Sequence, residues 1–421
     1  MKIYKFGGAS VRDAAGVRNV ASIIAKEKNN DVLVVISAMG KSTNALETLV
    51  NAAFKNDKSA SVILIDFIQS HNQLLNELFE GNSFIWTNEV RNLFLELECL
   101  IDNENLKDDY DFLYDQIVSF GELISTRIVS AYLLSQNIQN QWLDARNFII
   151  TDSRYRDAKV QWDETERVVT NRLKPLSAKN LIITQGFIGK GENGETTTLG
   201  REGSDYSAAI FGKLLGAESV TIWKDVAGVM NADPKKFDNT VLISELSYND
   251  AIELAYYGAS VIHPKTIQPL KAANIPLFVK SFLNIDQPGT KVSESAKPLS
   301  VPCKIHKSNQ LMLEISTKDF NFIVEEHLKQ IFEALSNFKV RAHIMQNSAI
   351  HFRCVVDDKE NKHLPLVKHL TQMGLNVNVI EHLELLSIYQ PEAISTEEVN
   401  KFGKIIMQQN MGNAAHFVVS K

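Results

Sequence analysis

Thr196-Thr197-Thr198-Leu199-Gly200-Arg201-Glu202-Gly203-Ser204-Asp205-Tyr206-Ser207-Ala208-Ala209 is the stretch on which the reading of this chain turns. Three hydroxyls, two glycines, an arginine and acids run into small residues suited to a packed helix. Backbone N–H groups, a guanidinium fork and a carboxylate then converge where a helix begins, an arrangement suited to holding anions. Ser204 or Asp205 is expected to cap that helix from about Tyr206, with Ala208, Ala209 and Ile210 turned inward. Taken alone, the stretch fits an anion-binding loop and an ordinary capped surface turn equally well.

Its neighbours favour the first. Upstream, residues 180–185 read as a strand and 186–194 as a glycine-rich hairpin that feeds the loop. Downstream, a helix to 215 and a strand at 219–223 end at Lys224-Asp225-Val226-Ala227-Gly228-Val229-Met230, followed by Asp233-Pro234-Lys235, where cations and acids gather. At the start of the chain, residues 2–6 read as a strand, Gly7-Gly8-Ala9-Ser10 as a turn and 11–26 as a helix. Glycines there let N–H groups approach a phosphate, Ser10 can cap the helix, and Lys5 supplies a mobile positive charge. Residues 31–36 form an unbroken β-branched run of the kind buried in a parallel sheet, and stop at Ser37-Ala38-Met39-Gly40-Lys41-Ser42-Thr43-Asn44. Successive strands thus deliver small, polar loops at their carboxyl ends, where open parallel sheets place ligands.

Between these strands, residues 45–118 look helical, with Leu46, Leu49, Val50 and Ala53, then Leu93, Leu97, Leu100 and Ile101, at packing intervals; they read as a lid or side wall. Glu122 follows Ser119-Phe120-Gly121 at the start of an apolar helix. It is either a first-turn acid favoured by the helix dipole or a ligand for a substrate cation. Trp223 reads as a packed strand residue and His263, before Pro264, as structural. A helix over 247–258 and a strand over 276–282 complete an αβα layered α/β domain at residues 1–283.

Residues 284–308, with three prolines, read as a linker. Beyond it the order strand, helix, strand, strand, helix, strand over 309–382 is a ferredoxin-like α+β unit. Residues 383–421 read as a second, abbreviated unit: a strand at 384–389, a helix over about 396–407 and a strand at 415–420.

A length of 421 residues implies two or three domains. A net charge of −6 and a pI near 6.0 give no general attraction to nucleic acid or an anionic membrane, so any anion is captured locally. Cys99, Cys303 and Cys354 are scattered without CxxC or His spacing, against a disulfide framework or a metal site of their own. A cytoplasmic setting is expected, with no export signal and no stretch approaching a membrane span.

With these motifs in order, the chain resembles the aspartate kinases of the amino-acid kinase superfamily, followed by an ACT-type regulatory region. The likeness rests on Lys5 to Ser10, Ser37 to Asn44, Ser119 to Leu123, Gly186 through Asp205, and Lys224 to Val229 with Asp233-Pro234. It implies transfer of the ATP γ-phosphoryl to the side-chain carboxylate of L-aspartate, giving 4-phospho-L-aspartate, the first step towards lysine, threonine and methionine, with Mg2+ held by ATP oxygens and water. By the same resemblance Lys5 and Asp205 are catalytic, Asp205 orienting Lys5 or a magnesium-bound water. Arg201 pairs with the substrate α-carboxylate, Glu122 with its ammonium, and Ser37, Thr43 and Ser204 offer hydrogen bonds. Lys5, Gly7, Gly8, Ser10, Lys224, Asp225, Met230 and Lys235 line the nucleotide. Lysine or threonine is the expected effector, and a homodimer is expected through the ACT region. Three positions depart from the family pattern: Ala9 where threonine is usual, Glu202 where glycine is common, and Ser260 where many relatives carry lysine, with Lys265 nearby as its replacement.

Overall fold

The computed structural model describes residues 1–27, 32–81, 87–103, 108–259, 262–319, 321–358, 361–390 and 399–420. The chain divides into two compact units. The first comprises Met1–Val229, Leu242–Ile252 and Val261–Pro298; the second comprises Met230–Val241, Glu253–Ser260 and Leu299–Lys421.

The first unit is built on strands β1 (Lys2–Phe6), β2 (Val32–Ile36), β3 (Gln141–Leu143), β4 (Ile182–Gln185), the hairpin β5 (Ile188–Lys190) and β6 (Thr196–Thr198), β7 (Ser219–Lys224), β8 (Glu245–Leu246), β9 (Leu277–Ser281) and β10 (Thr290–Val292). Eight of these form one sheet in the order β3-β4-β2-β1-β7-β9-β10-β8. From β3 to β9 all neighbours are parallel, and β2 is buried at every residue, as its unbroken Val-Leu-Val-Val-Ile run requires. The switch in strand order lies at β1, whose neighbours β2 and β7 follow it on opposite sides, so the loops after these strands open one crevice.

Helices α2 (Ser42–Phe54), α3 (Ser59–Leu78), α4 (Asn88–Asp102) and α5 (Tyr110–Val118) account for the helical excursion expected over 45–118, and α1 (Ala14–Ala25) and α6 (Phe120–Ser135) flank it in the chain. Their apolar stripes share one core with Tyr4, Phe6, Val34 and Ile36 of the sheet. Trp223 is buried in it, stacked on Phe6 at 5.9 Å, a packing role as expected. One helical stretch, Tyr110–Ser135, is after all long and apolar enough to span a membrane; 89% of its most apolar window is buried within the protein. Three further helices, α7 (Trp162–Val168), α8 (Lys174–Ser177) and α9 (Gly203–Leu215), precede α10 (Tyr248–Tyr257) and α11 (Pro264–Ala272). His263 caps α11, its Nδ1 accepting from the Lys265 N–H at 3.2 Å.

Two caps differ from expectation. Helix α1 is capped by Asp13, which accepts from the Gly16 N–H at 2.8 Å, because residues 8–11 form a separate 3-10 turn. Helix α9 starts at Gly203 behind a left-handed Glu202, so Ser204 and Asp205 sit inside its first turn rather than capping it. Both side chains are thereby released toward the sheet crevice.

The second unit contains β11 (Cys303–Thr317), α12 (Glu325–Asn337), β12 (Ala342–Asn347), β13 (Phe352–Asp357), α13 (His363–Gln372), β14 (Leu375–Tyr389), β15 (Lys404–Met411) and β16 (Ala414–Ser420). Its sheet runs β12-β13-β11-β14-β16-β15. The expected ferredoxin-like order is present, but β11 and β14 are single 15-residue strands that serve two halves. Residues 312–317 of β11 pair with 375–380, and 303–307 with 385–389, with the register shifting at Lys307–Met312. Residues 303–307, expected in the linker, are therefore a strand of the second half, which is more complete than its local sequence suggests. The linker is shortened at its start as well, since β10 joins the first sheet antiparallel to β9. The helix expected over 396–407 lies partly outside the described residues; of the rest, 404–407 belong to β15. Ser260 also lies outside the described residues.

Candidate functional site

The loops after β1, β2, β6 and β7, with the starts of α6 and α9, surround a cavity of about 520 Å³. Lys5, Gly8, Ser37, Thr43, Glu122, Arg201, Ser204, Asp205 and Lys224 all line it. These residues are up to 219 positions apart in sequence, and the parallel sheet brings their strand ends together.

At its floor a carboxylate is shared by two lysines. Lys5 Nζ lies 2.7 Å from Asp205 Oδ1 and Lys224 Nζ 3.5 Å from Asp205 Oδ2. Asp205 is 2% exposed; burial alone would raise its pKa, but the Lys5 and Lys224 charges prevail and hold it below the ordinary carboxylate range. It is therefore an anion at neutral pH that fixes the end of Lys5.

Glu122 presents the opposite situation. Its Oε1 accepts from the Ala38 N–H at 3.2 Å, while Oε2 has no partner among the described residues. Burial pushes its pKa up to about 8, against the pull of the Ala38 and Glu122 N–H groups and the Lys5 charge. A buried carboxyl with one open oxygen and a penalised charge is completed by a cation. Arg201 is exposed at the cavity wall and makes no hydrogen bond or ion pair among the described residues. Glu202, in left-handed backbone at φ 55°, also lines the cavity; burial raises its pKa, partly offset by Lys224.

Glycines set the loop spacing. A Cβ on Gly8 would lie 2.7 Å from the Ala38 carbonyl oxygen, and one on Gly186 would lie 2.4 Å from Ser204 Cβ. Gly8 thus lacks a side chain because two site loops cross there, a packing reason beside the expected phosphate approach.

Not every expected residue joins the cavity. Gly7 and Ser10 do not line it; Ser10 Oγ is buried without a hydrogen-bond partner among the described residues. Asp225 is exposed and outside it. Met230 and Lys235 belong to the second unit, where the Lys235 N–H donates to Asp233 Oδ1 at 2.9 Å. Lys265 pairs with Asp157, away from the lining. Conversely, Tyr114, Arg156 and Phe187 line the cavity without having been singled out. The density of charge in Arg154-Tyr155-Arg156-Asp157 was the available signal for Arg156.

An α/β crevice that combines a buried lysine–aspartate–lysine group, an open carboxylate and a free guanidinium belongs to a small-molecule kinase class. Residues 1–281 match the Amino acid kinase family, and the chain belongs to that family. Its relatives include aspartokinases. Lysine-sensitive aspartokinase 3 of Escherichia coli is 31% identical over 84% of this chain and 78% of its own length. Bifunctional aspartokinase/homoserine dehydrogenase 2 of Arabidopsis thaliana is 33% identical over 69% of this chain; the chain spans about a third (32%) of that protein's length. The crystal structure of E. coli aspartokinase III in complex with aspartate and ADP superposes with a TM-score of 0.84 at 27% identity, covering 100% of this chain and 96% of the other.

Proposed function

We propose that this protein is an aspartate kinase, transferring the ATP γ-phosphoryl to the side-chain carboxylate of L-aspartate. The observation that carries the reading is the open Oε2 of Glu122 in the same cavity as Arg201 and the Lys5–Asp205–Lys224 group. A free α-amino acid offers an ammonium to the first and a carboxylate to the second; an N-acylated one would leave Glu122 uncompensated. The second carboxylate then faces Lys5.

No general base is needed, because the attacking carboxylate is ionised at neutral pH. The work is placement and charge stabilisation. Lys5, held by Asp205, neutralises charge on the transferring phosphoryl, and Lys224 shares that field. Ser37, Thr43 and Ser204 supply hydrogen bonds around the reacting groups. Within the first unit the nucleotide is assigned to Gly7, Gly8, Ser10 and Asp225. Among the described residues no three His, Cys, Asp or Glu side chains stand together for a metal, and Asp205 is committed to two lysines. Mg2+ would be held by ATP oxygens and water, as the family resemblance implies, and would supply charge neutralisation there.

The second unit is assigned to regulation by lysine or threonine and to homodimer formation. Support for the first is the lysine-bound state of E. coli aspartokinase III, which superposes with a TM-score of 0.82 at 28% identity. Support for the second is the exposed Phe322, Val324 and Phe332 on and before α12. A cytoplasmic setting is part of the same proposal. Coupled ADP release with ATP, Mg2+ and a panel of L-aspartate, L-glutamate, N-acetyl-L-glutamate and carbamate tests the reaction. L-Aspartate should be the acceptor, and Arg201→Ala should raise its KM at least tenfold while the KM for ATP stays within twofold. Turnover with another acceptor, or none with folded protein, would overturn it.

A further inference from the structure

Arg156 is held in left-handed backbone, with φ 64°. For a residue with a Cβ that conformation is unfavourable, and glycine would adopt it freely. Such a residue persists only where its surroundings hold it, and here they do. The Arg156 N–H donates to both oxygens of Asp115, at 3.1 and 3.0 Å. Asp115 is fully buried and also accepts from the Thr198 N–H at 2.8 Å and the Thr198 hydroxyl at 2.7 Å. One carboxylate on α5 thus ties the loop carrying Arg156 to the strand that leads into Gly200-Arg201. The two loops also touch: a Cβ on Gly200 would lie 3.1 Å from the Arg156 carbonyl oxygen. The Arg156 guanidinium is steered by Tyr114, 4.5 Å below it, and by Asp111 Oδ1 at 3.1 Å, and it lines the substrate cavity.

Strained backbone, a buried anchor and a guanidinium delivered to the wall that carries Arg201 have one economical explanation. We propose that Arg156 is a second substrate-binding arginine, which together with Arg201 grips the carboxylate that is not phosphorylated, and that Asp115 is the positioning residue for both. The inference rests on the amino-acid acceptor proposed above. Two forks on adjoining loops of the cavity that Lys5 also lines select acceptors with a free α-carboxylate and fix which carboxylate is left to react.

Arg156→Gly is the appropriate probe, because glycine relieves the left-handed backbone and deletes only the side chain. KM and kcat for L-aspartate and for ATP, the calorimetric Kd for L-aspartate, and thermal melts are compared between wild type and R156G, with R156K retaining charge without the fork. R156G should raise the KM and Kd for L-aspartate tenfold or more, leave the KM for ATP within twofold, and melt no lower than wild type; R156K should fall between. With the α-amide of L-aspartate, the affinity ratio of wild type to R156G should collapse towards one. An unchanged Kd for L-aspartate in R156G, or a lowered melting temperature with aspartate and ATP affinities falling together, overturns the proposal in favour of a clasp on α5. If wild type binds L-aspartate without phosphorylating it, the kinase reading fails while the Kd comparison still decides Arg156. If wild type does not bind L-aspartate at all, both fall.

Discussion

Glu122→Gln should make the unliganded protein more stable at neutral pH and a worse enzyme. In the absence of substrate Glu122 is a buried carboxyl whose pKa is pushed up to about 8 from an ordinary 4.5. The folded state therefore retains a proton that the unfolded chain has lost, so stability from this group is fully present below about pH 4.5 and drains away as pH rises through about 8. Between those limits the slope is about 1.4 kcal/mol per pH unit, so roughly 3 kcal/mol is lost by pH 7. Glutamine copies the neutral acid in shape and in its one unpartnered polar atom, so that term cancels between the two. E122Q should accordingly approach a stabilisation of about 3 kcal/mol at pH 7, a rise of several degrees in Tm, and the advantage should vanish near pH 4.5. Saturating L-aspartate reverses the order: its ammonium stabilises ionised Glu122, whereas the amide has no charge to meet it. A lost charge-assisted contact of about 1.5–3 kcal/mol corresponds to a KM for aspartate roughly 10- to 150-fold higher. Melts of both proteins from pH 4.5 to 8, with and without L-aspartate, provide the check. If E122Q melts below wild type at pH 8 without ligand, and aspartate raises both equally, the role given to this carboxylate is wrong.

Lys5→Met should reduce kcat by about 10²–10³ and change the KM for aspartate little, because the lost interaction forms on the transferring phosphoryl; single-turnover rates would show whether chemistry or binding has moved. Gly186→Ala places a Cβ 2.4 Å from Ser204 Cβ, an overlap that should cost about 1–3 kcal/mol or more, read as a lowered Tm, and should impair turnover by shifting the start of α9. Light scattering should give the mass of a dimer, and Phe332→Glu on the exposed face of α12 should return it to one chain without altering the melt of the first unit.

The alternation of strands and helices, and the collection of polar loops at strand ends, could be read from residues because apolar runs and glycine turns are local signals. Lys5, Glu122, Arg201 and Asp205 share one cavity for that reason: each lies within a few residues of a strand or helix end. What could not be read depends on long-range pairing. Residues 303–307 look like linker because their partners, 385–389, lie about 80 positions away. Strand β15 resembles a helix in its Lys-Ile-Ile-Met-Gln run, although Gly403 and Gly412, both with positive φ, mark its two ends. Arg156 escaped because a side chain's delivery to a cavity from left-handed backbone has no sequence signature unless the residue is glycine. Gly8 was explained by phosphate approach when the crossing of the Ala38 loop already requires it.

The identity of the product is the most direct test of the proposed phosphoryl transfer. An acyl phosphate reacts with hydroxylamine to give a hydroxamate, so incubation with ATP, Mg2+, L-aspartate and hydroxylamine should yield aspartyl β-hydroxamate in step with ADP. The same incubation with Lys5→Met or Arg201→Ala at low aspartate should yield far less. ADP release without hydroxamate, or hydroxamate formation from L-glutamate in preference to L-aspartate, would contradict the transfer of phosphoryl to the side-chain carboxylate of aspartate.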